Sequence, residues 1–226
     1  MSWWYDELNE QQKLAVSHSG GPLFVVAGAG TGKTKTLTSR IAYLIENEKV
    51  NPENILAVTF TNKAAREMRD RLVSMIGPYG MGVWISTFHA FGLKILRMHI
   101  EVLNLGYTRG FNVIDEDDAK GIVRDAIKQL NLDTKVYKTN DLRNKISRYK
   151  HFKEELFKDD QEKNVYFYYK RHLMENDLLD FDDLQVYTLK IFVDHERIRN
   201  IYREQLTYIL VDEFQDTDDI QYEILK

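Results

Sequence analysis

The segment Val25 to Thr36 reads VVAGAGTGKTKT, an apolar run followed by glycines at 28, 30 and 32 and then by Lys33 and Thr34. The unbroken run Leu23 to Ala27 predicts a strand buried on both faces. After the loop, Leu37, Ile41, Leu44 and Ile45 recur at helical spacing. Strand, glycine-rich loop and helix in immediate succession leave few folds open. Glycine permits a tight turn whose backbone N–H groups face inward, and the helix N-terminus behind it adds positive potential, so the segment has the makings of a phosphate cradle.

Two further apolar runs, Ile55 to Phe60 and Tyr208 to Phe214, predict strands of the same buried kind, and Ala64, Ala65, Met68 and Leu72 mark a helix after the first. Strand then helix, repeated, is the signature of a parallel sheet in an α/β domain. Val83 to Phe88 and Phe111 to Asp115 are additional strand candidates, separated by a helix from His89 to about Leu103. From Asp117 to about Gln205 the periodicity is helical, without a clear strand. We therefore expect an α/β fold with helices on both faces of a parallel sheet and an all-helical inserted subdomain. The expected boundaries are 1–115 and 179–226 for the α/β part and 116–178 for the insertion. The chain stops inside an apparent helix with no terminating signal, and the expectation is a truncated domain.

Composition narrows the class. The chain has 226 residues and no cysteine, which removes disulfides and cysteine-held metals and suits a reducing compartment. A basic-then-apolar leader is absent at the N-terminus, and no apolar run approaches the length of a membrane span. A cytoplasmic protein without membrane association is expected. A net charge of −4 argues against a generally basic nucleic-acid-coating protein and leaves room for a local basic site.

Within the loop, Gly28, Ala29, Gly30, Thr31 and Gly32 would cradle the phosphates of ATP, Lys33 would reach the β- and γ-phosphates, and Thr34 would hold Mg²⁺. Ala27 stands where the full P-loop pattern has glycine. A partner carboxylate is expected at the end of another buried strand, and YILVDEFQDT supplies Asp212 for the metal, with Glu213 beside it to orient and deprotonate an attacking water. A glutamate in that place favours hydrolysis over transfer to a substrate hydroxyl.

Five segments, taken in order, make the chain resemble the N-terminal part of superfamily 1 DNA helicases of the UvrD/Rep/PcrA type: LNEQQ at 8–12, AGAGTGKT at 27–34, TFTNKAAREM at 59–68, WISTFHAFG at 84–92 and VDEFQDT at 211–217. The likeness covers essentially the whole chain, and that family often begins its P-loop with alanine. The resemblance implies a RecA-like motor domain and an ATP-driven 3′-to-5′ translocase acting on single-stranded DNA and on single-strand/double-strand junctions. It also implies a second motor domain in the same parent chain. By the same resemblance Gln12 reads adenine, a task that suits a carboxamide able to donate and accept at once. Thr59, Phe60 and Asn62 contact single-stranded DNA, with Phe60 stacking on a base, and Thr87 and His89 contact the DNA backbone. Gln215 links the nucleotide site to the DNA side.

Several of these residues have a plain structural reading as well. Phe60 suits a core, His89 a satisfied side chain beside a strand, and Trp3, Trp4 and Tyr5 either flank the base or pack the N-terminus. The stretch Lys135 to Lys153 carries seven Lys/Arg against one acid, Asp141, with Leu142, Ile146, Tyr149 and Phe152 on one helical arc. It is either a solvated basic rim or a phosphate-contacting surface. The alternatives to a free-standing helicase are the helicase subunit of a helicase-nuclease, a P-loop kinase of a small metabolite, and a non-catalytic nucleotide-binding tether.

Overall fold

In a computed structural model the structure describes residues 2–28, 30–153 and 156–226, arranged as two compact units. The first comprises residues 1–88 and 200–217 and the second 89–199 and 218–226.

In the first unit, helices α1 (Trp3–Asp6) and α2 (Glu10–Val16) precede the glycine-rich loop and α3 (Lys33–Glu46). Strand β1 (Ile55–Thr59), helix α4 (Asn62–Ile76) and strand β2 (Trp84–Thr87) follow. The helix α5 (Phe88–His99) leads into the second unit, and the chain returns through α10 (Glu196–Gln205) to β5 (Tyr208–Val211). The sheet order is β2-β1-β5, all parallel, with Thr59 opposite Thr87 and Val58 opposite Val211. All five residues of β1 are buried, as its unbroken apolar sequence requires for a central strand. Trp4 of α1, Val16 of α2 and Leu8 between them enter the same core as Ile41, Leu44, Ile55, Met68, Leu72 and Ile85. Of the three N-terminal aromatics, Trp4 thus packs the N-terminus onto the domain.

The expected strand at Leu23 to Ala27 is not formed. Residues 22–28 have no regular structure, and Leu23, Phe24, Val25 and Val26 are all exposed, Val26 by 84 %. A strand is held by a ladder to a neighbour. Both edges of β1 are taken by β2 and β5, and among the described residues no ladder reaches this run. Its one ring contact is an edge-to-face approach of Phe24 to Phe214, with centroids 5.9 Å apart.

The second unit is mainly helical. It contains α6 (Glu116–Gln129), α7 (Thr139–Phe152), α8 (Asp160–Glu175), α9 (Phe181–Asp194) and the final α11 (Asp219–Leu225). The expected strand at Phe111 to Asp115 shrinks to β3 (Asn112–Val113) and pairs in parallel with β4 (Leu178–Leu179), a two-residue strand that the helical periodicity concealed. Ala119, Ile122, Val123 and Ala126 of α6 pack with Leu142 and Ile146 of α7 and with Val165, Tyr169 and Leu173 of α8. Helix α9 starts at a capping box in which Asp180 accepts from the Asp183 N–H, and the Asp183 side chain accepts from the Asp180 N–H. In α5, Gly92 lies so close to α9 that a Cβ would meet the Leu184 carbonyl oxygen at 2.5 Å.

Candidate nucleotide site and strand-end surface

Helix α3 opens at Lys33 behind Gly32, whose φ of 90°, like the 75° of Gly30, is a left-handed value that glycine tolerates without strain. A Cβ on Gly32 would also come within 3.0 Å of Gln12 Nε2. The Gly28 carbonyl accepts from the Thr31 hydroxyl at 2.7 Å and from the Thr31 N–H at 3.4 Å, which closes the loop on itself. Gln12 ties this loop to α2. Its side-chain oxygen accepts from the Asn9 N–H at 3.0 Å as part of a capping box, and its Nε2 donates to the Thr31 carbonyl at 3.2 Å. Asn9 is a participant that sequence reasoning passed over, although an Asn three residues ahead of a Gln is a legible capping spacing. Ala29 lies outside the described residues.

The acids arrive from β5. The Asp212 N–H donates to the Val58 carbonyl at 2.9 Å, which fixes this residue at the carboxyl end of the sheet beside β1. Asp212 is buried, and its Oδ2 accepts from the Thr34 hydroxyl at 3.3 Å. Burial first, and then the neighbouring Glu213 charge, raise its pKa above the usual aspartate value. Glu213 adopts a left-handed φ of 53°, uncommon for a residue with a side chain. Its Oε2 accepts from Gln215 Nε2 at 2.6 Å and from Lys33 Nζ at 2.9 Å, and these two hydrogen bonds lower its pKa. Lys33, Thr34, Asp212, Glu213 and Gln215 are therefore brought together from two segments about 180 residues apart.

A hydroxyl and a half-desolvated carboxylate are hard oxygen donors of the kind Mg²⁺ takes alongside water and phosphate oxygens. A cation at that point would also relieve the repulsion that raises the Asp212 pKa. The donor set of Thr34 and Asp212 thus fits the ion. Among the described residues no cluster of three or more His, Asp or Glu side chains offers a self-sufficient metal site.

Thr59 and Thr87 lie opposite one another in the parallel register, at the same carboxyl end of the sheet as Asp212. Both threonine side chains are buried. Phe60 is half-buried and meets Phe88 edge to face at 5.8 Å, whereas Asn62, the first residue of α4, is exposed. Phe60 and Asn62 are the accessible members of this set. His89 belongs to the second unit. Its Nε2 lies 2.8 Å from Gln185 Nε2 and its ring packs edge to face on Phe181 at 5.6 Å. Burial lowers its pKa, so the neutral ring accepts from the Gln185 amide, and Gln185 in turn accepts from Gln221 at 3.3 Å. No spacing in the sequence announced that relay.

Three of the seven basic residues of this stretch are held by acids inside the second unit. Lys150 Nζ sits 2.8 Å from Asp180 and 2.9 Å from Asp183, Arg143 is 2.9 Å from Asp182, and Lys145 is 2.6 Å from Glu162. Tyr169 completes the cluster by donating to Asp180 at 2.7 Å.

A glycine-rich loop and helix N-terminus facing two consecutive acids at the carboxyl end of a parallel sheet define a P-loop protein of the RecA-like type. The chain belongs to the UvrD/REP helicase N-terminal domain family, whose profile matches residues 8–226. It is 44 % identical over 225 residues to a probable DNA helicase II homolog of Rickettsia felis, an alignment covering 95 % of this chain and 34 % of that protein. It is 40 % identical over 234 residues to a probable DNA helicase II homolog of Mycoplasma capricolum, covering 98 % and 32 %. To the ATP-dependent DNA helicase PcrA of Staphylococcus aureus it is 38 % identical over 230 residues, covering 98 % and 31 %. The chain thus spans about a third of the length of these relatives. No helix among the described residues is long and apolar enough to cross a membrane.

Proposed function

We propose that this chain is the ATP-binding part of the first motor domain of a cytoplasmic DNA helicase that moves 3′ to 5′ on single-stranded DNA and opens single-strand/double-strand junctions. In this reading residues 1–115 and 179–226 belong to the motor domain and 116–178 to a helical insertion, and a second motor domain completes the working enzyme. The observation that carries the nucleotide reading is the convergence of Lys33 and Thr34 on Glu213 and Asp212, within 2.9 and 3.3 Å. Gln12, whose side chain hydrogen-bonds to the loop at Thr31, would read the adenine base. Thr34 and Asp212 would hold Mg²⁺, which would offset the negative charge of the phosphates.

A bound phosphate would compete with Glu213 for the Lys33 ammonium. When its ammonium turns to the phosphates, Glu213 loses one of the two hydrogen bonds that depress its pKa and becomes a stronger base toward water, with Gln215 still holding its orientation. Family membership and the relatives' names support DNA as the substrate, and Phe60 and Asn62 offer the accessible contacts at the strand ends.

Calorimetric titration of the 226-residue chain with Mg·ADP tests the site. Lys33→Ala is expected to weaken binding by at least tenfold, and an unchanged affinity would place the phosphates elsewhere. In parallel, Phe60→Ala should weaken a labelled single-stranded oligonucleotide to a similar extent for every base composition, because stacking tolerates all bases. Dependence on a single base would contradict the reading.

A further inference from the structure

Helix α3 has two ends, and only its first faces the phosphate loop. Over its 14 residues the rise is about 20 Å, so Glu46 lies far from Lys33. At that far end is a second concavity of about 800 Å³, lined by Trp4 and Tyr5 of α1, Tyr43 and Glu46 of α3, and Ile76 and Tyr79. The Tyr5 and Tyr43 rings stack at 6.1 Å, and Trp4 meets Tyr5 edge to face at 5.9 Å. None of these residues takes part in the nucleotide or strand-end sites.

Two features of the cavity favour positive charge. The faces of aromatic rings are negative. Glu46 adds a full charge. One of its oxygens accepts from the Ser2 hydroxyl at 2.5 Å, and among the described residues nothing pairs with the other. The cation already present, Lys49, donates to the Glu46 backbone carbonyl at 2.7 Å and so does not neutralise the carboxylate directly. One of these tyrosines already carries a guanidinium: Arg40 lies 5.9 Å from the Tyr43 ring centre while it pairs with Glu48 at 3.2 Å. A planar guanidinium suits such a place better than an ammonium because it can lie flat on a ring and present two N–H groups to one carboxylate.

We propose that this cavity is a docking pocket for an arginine side chain presented by a partner polypeptide. The polypeptide source follows from the rim. Tyr79 lines the cavity and is 73 % exposed, a large side chain of the kind that protein interfaces favour, held out where a partner chain can cover it.

The test uses the 226-residue chain and a pentapeptide with a central arginine, compared with the same peptide carrying citrulline, which keeps the shape and loses the charge. Binding is followed by tryptophan fluorescence and by NMR shifts of the tyrosine rings. A single side chain should saturate the pocket in about the millimolar range, with the citrulline peptide weaker by roughly tenfold. Glu46→Gln and Tyr79→Ala should each lower the arginine peptide's affinity about fivefold or more while leaving the affinity for Mg·ADP unchanged. Equal binding of the citrulline peptide, no saturable response, or indifference to Glu46→Gln would overturn the proposal. Free arginine amide binding as tightly as the peptide would also overturn it, by making the ligand a small cation.

Discussion

At the scale of single residues, the contact that most shapes the proposed chemistry is the ion pair between Lys33 and Glu213. Both partners are about a third exposed, and a pair so open to solvent is screened and contributes little. A phosphate can therefore displace Glu213 from Lys33 at small cost. It follows that Glu213→Gln, which releases Lys33 and removes a negative charge facing an anionic ligand, should leave Mg·ADP affinity intact or raise it by about two- to fivefold, the equivalent of such a pair. A tenfold loss in the same titration would show that Glu213 organises the site and does not compete for its lysine.

His89 gives a second prediction at this scale. Its folded pKa is lowered by burial, and the nearby Asp182 and Asp218 charges only partly offset that effect, while His151 adds to it. Between the folded value and the unfolded 6.5 the unfolded chain binds more protons, so the stability His89 contributes is complete above about pH 6.5 and is lost as pH falls through that window. Asp183 has the opposite slope there, because burial and the Asp180 charge push it up to about 7. The informative quantity is thus the difference between the wild type and His89→Gln. In urea melts from pH 7.5 to 5.5, the wild type should lose stability relative to the variant. Parallel pH profiles would mean that the ring titrates normally and lies open to solvent.

At the scale of elements, the least expected feature is the uncovered run from Leu23 to Val26. Its composition is that of a buried strand, yet it has no ladder and its side chains face water. Val26→Lys should then shift the unfolding free energy of the 226-residue chain by less than about 0.5 kcal/mol, as for other surface changes, and reduce binding of an apolar dye. A loss of more than about 2 kcal/mol would mean that the run is packed in solution.

The same run shows where sequence reading succeeds and stops. Apolar composition reports the desire to be buried, which β1 satisfies between two neighbours, but it does not report whether a neighbour is present: β5, expected to be as buried, pairs with β1 yet leaves Ile209 exposed and its other residues only half-buried. The phosphate loop was legible because glycines at fixed offsets have one local use, and Asp212 and Glu213 because they end an apolar run. By contrast, β3 and β4 are two residues each, too short for any period, and the link from His89 to Gln185 joins positions about a hundred residues apart. The basic character of α7 was visible, but not that Arg143, Lys145 and Lys150 spend it on acids of α8 and of the start of α9.

At the scale of the whole molecule, the proposed site would hold a nucleotide's natural partners without everything its hydrolysis requires. The γ-phosphoryl group spreads charge over its equatorial oxygens as it transfers, and an arginine that meets this charge is typically worth about 10³ to 10⁵ in rate. Among the described residues, Lys33 is the only cationic side chain paired with Asp212 or Glu213. The 226-residue chain should therefore bind Mg·ATP and release phosphate only slowly, with little stimulation by single-stranded DNA. A stroke along DNA needs two bodies whose separation changes with the nucleotide, and relatives about three times as long have room for a second one. No unwinding of a tailed duplex is expected from this chain alone. In that slow regime Glu213→Gln should change phosphate release very little, whereas in a protein of the relatives' full length the same substitution should abolish turnover and preserve nucleotide binding. Rapid, DNA-stimulated phosphate release by the 226 residues, lost on Glu213→Gln, would show that Lys33, Thr34, Asp212 and Glu213 suffice for the chemistry and that no further cation is needed.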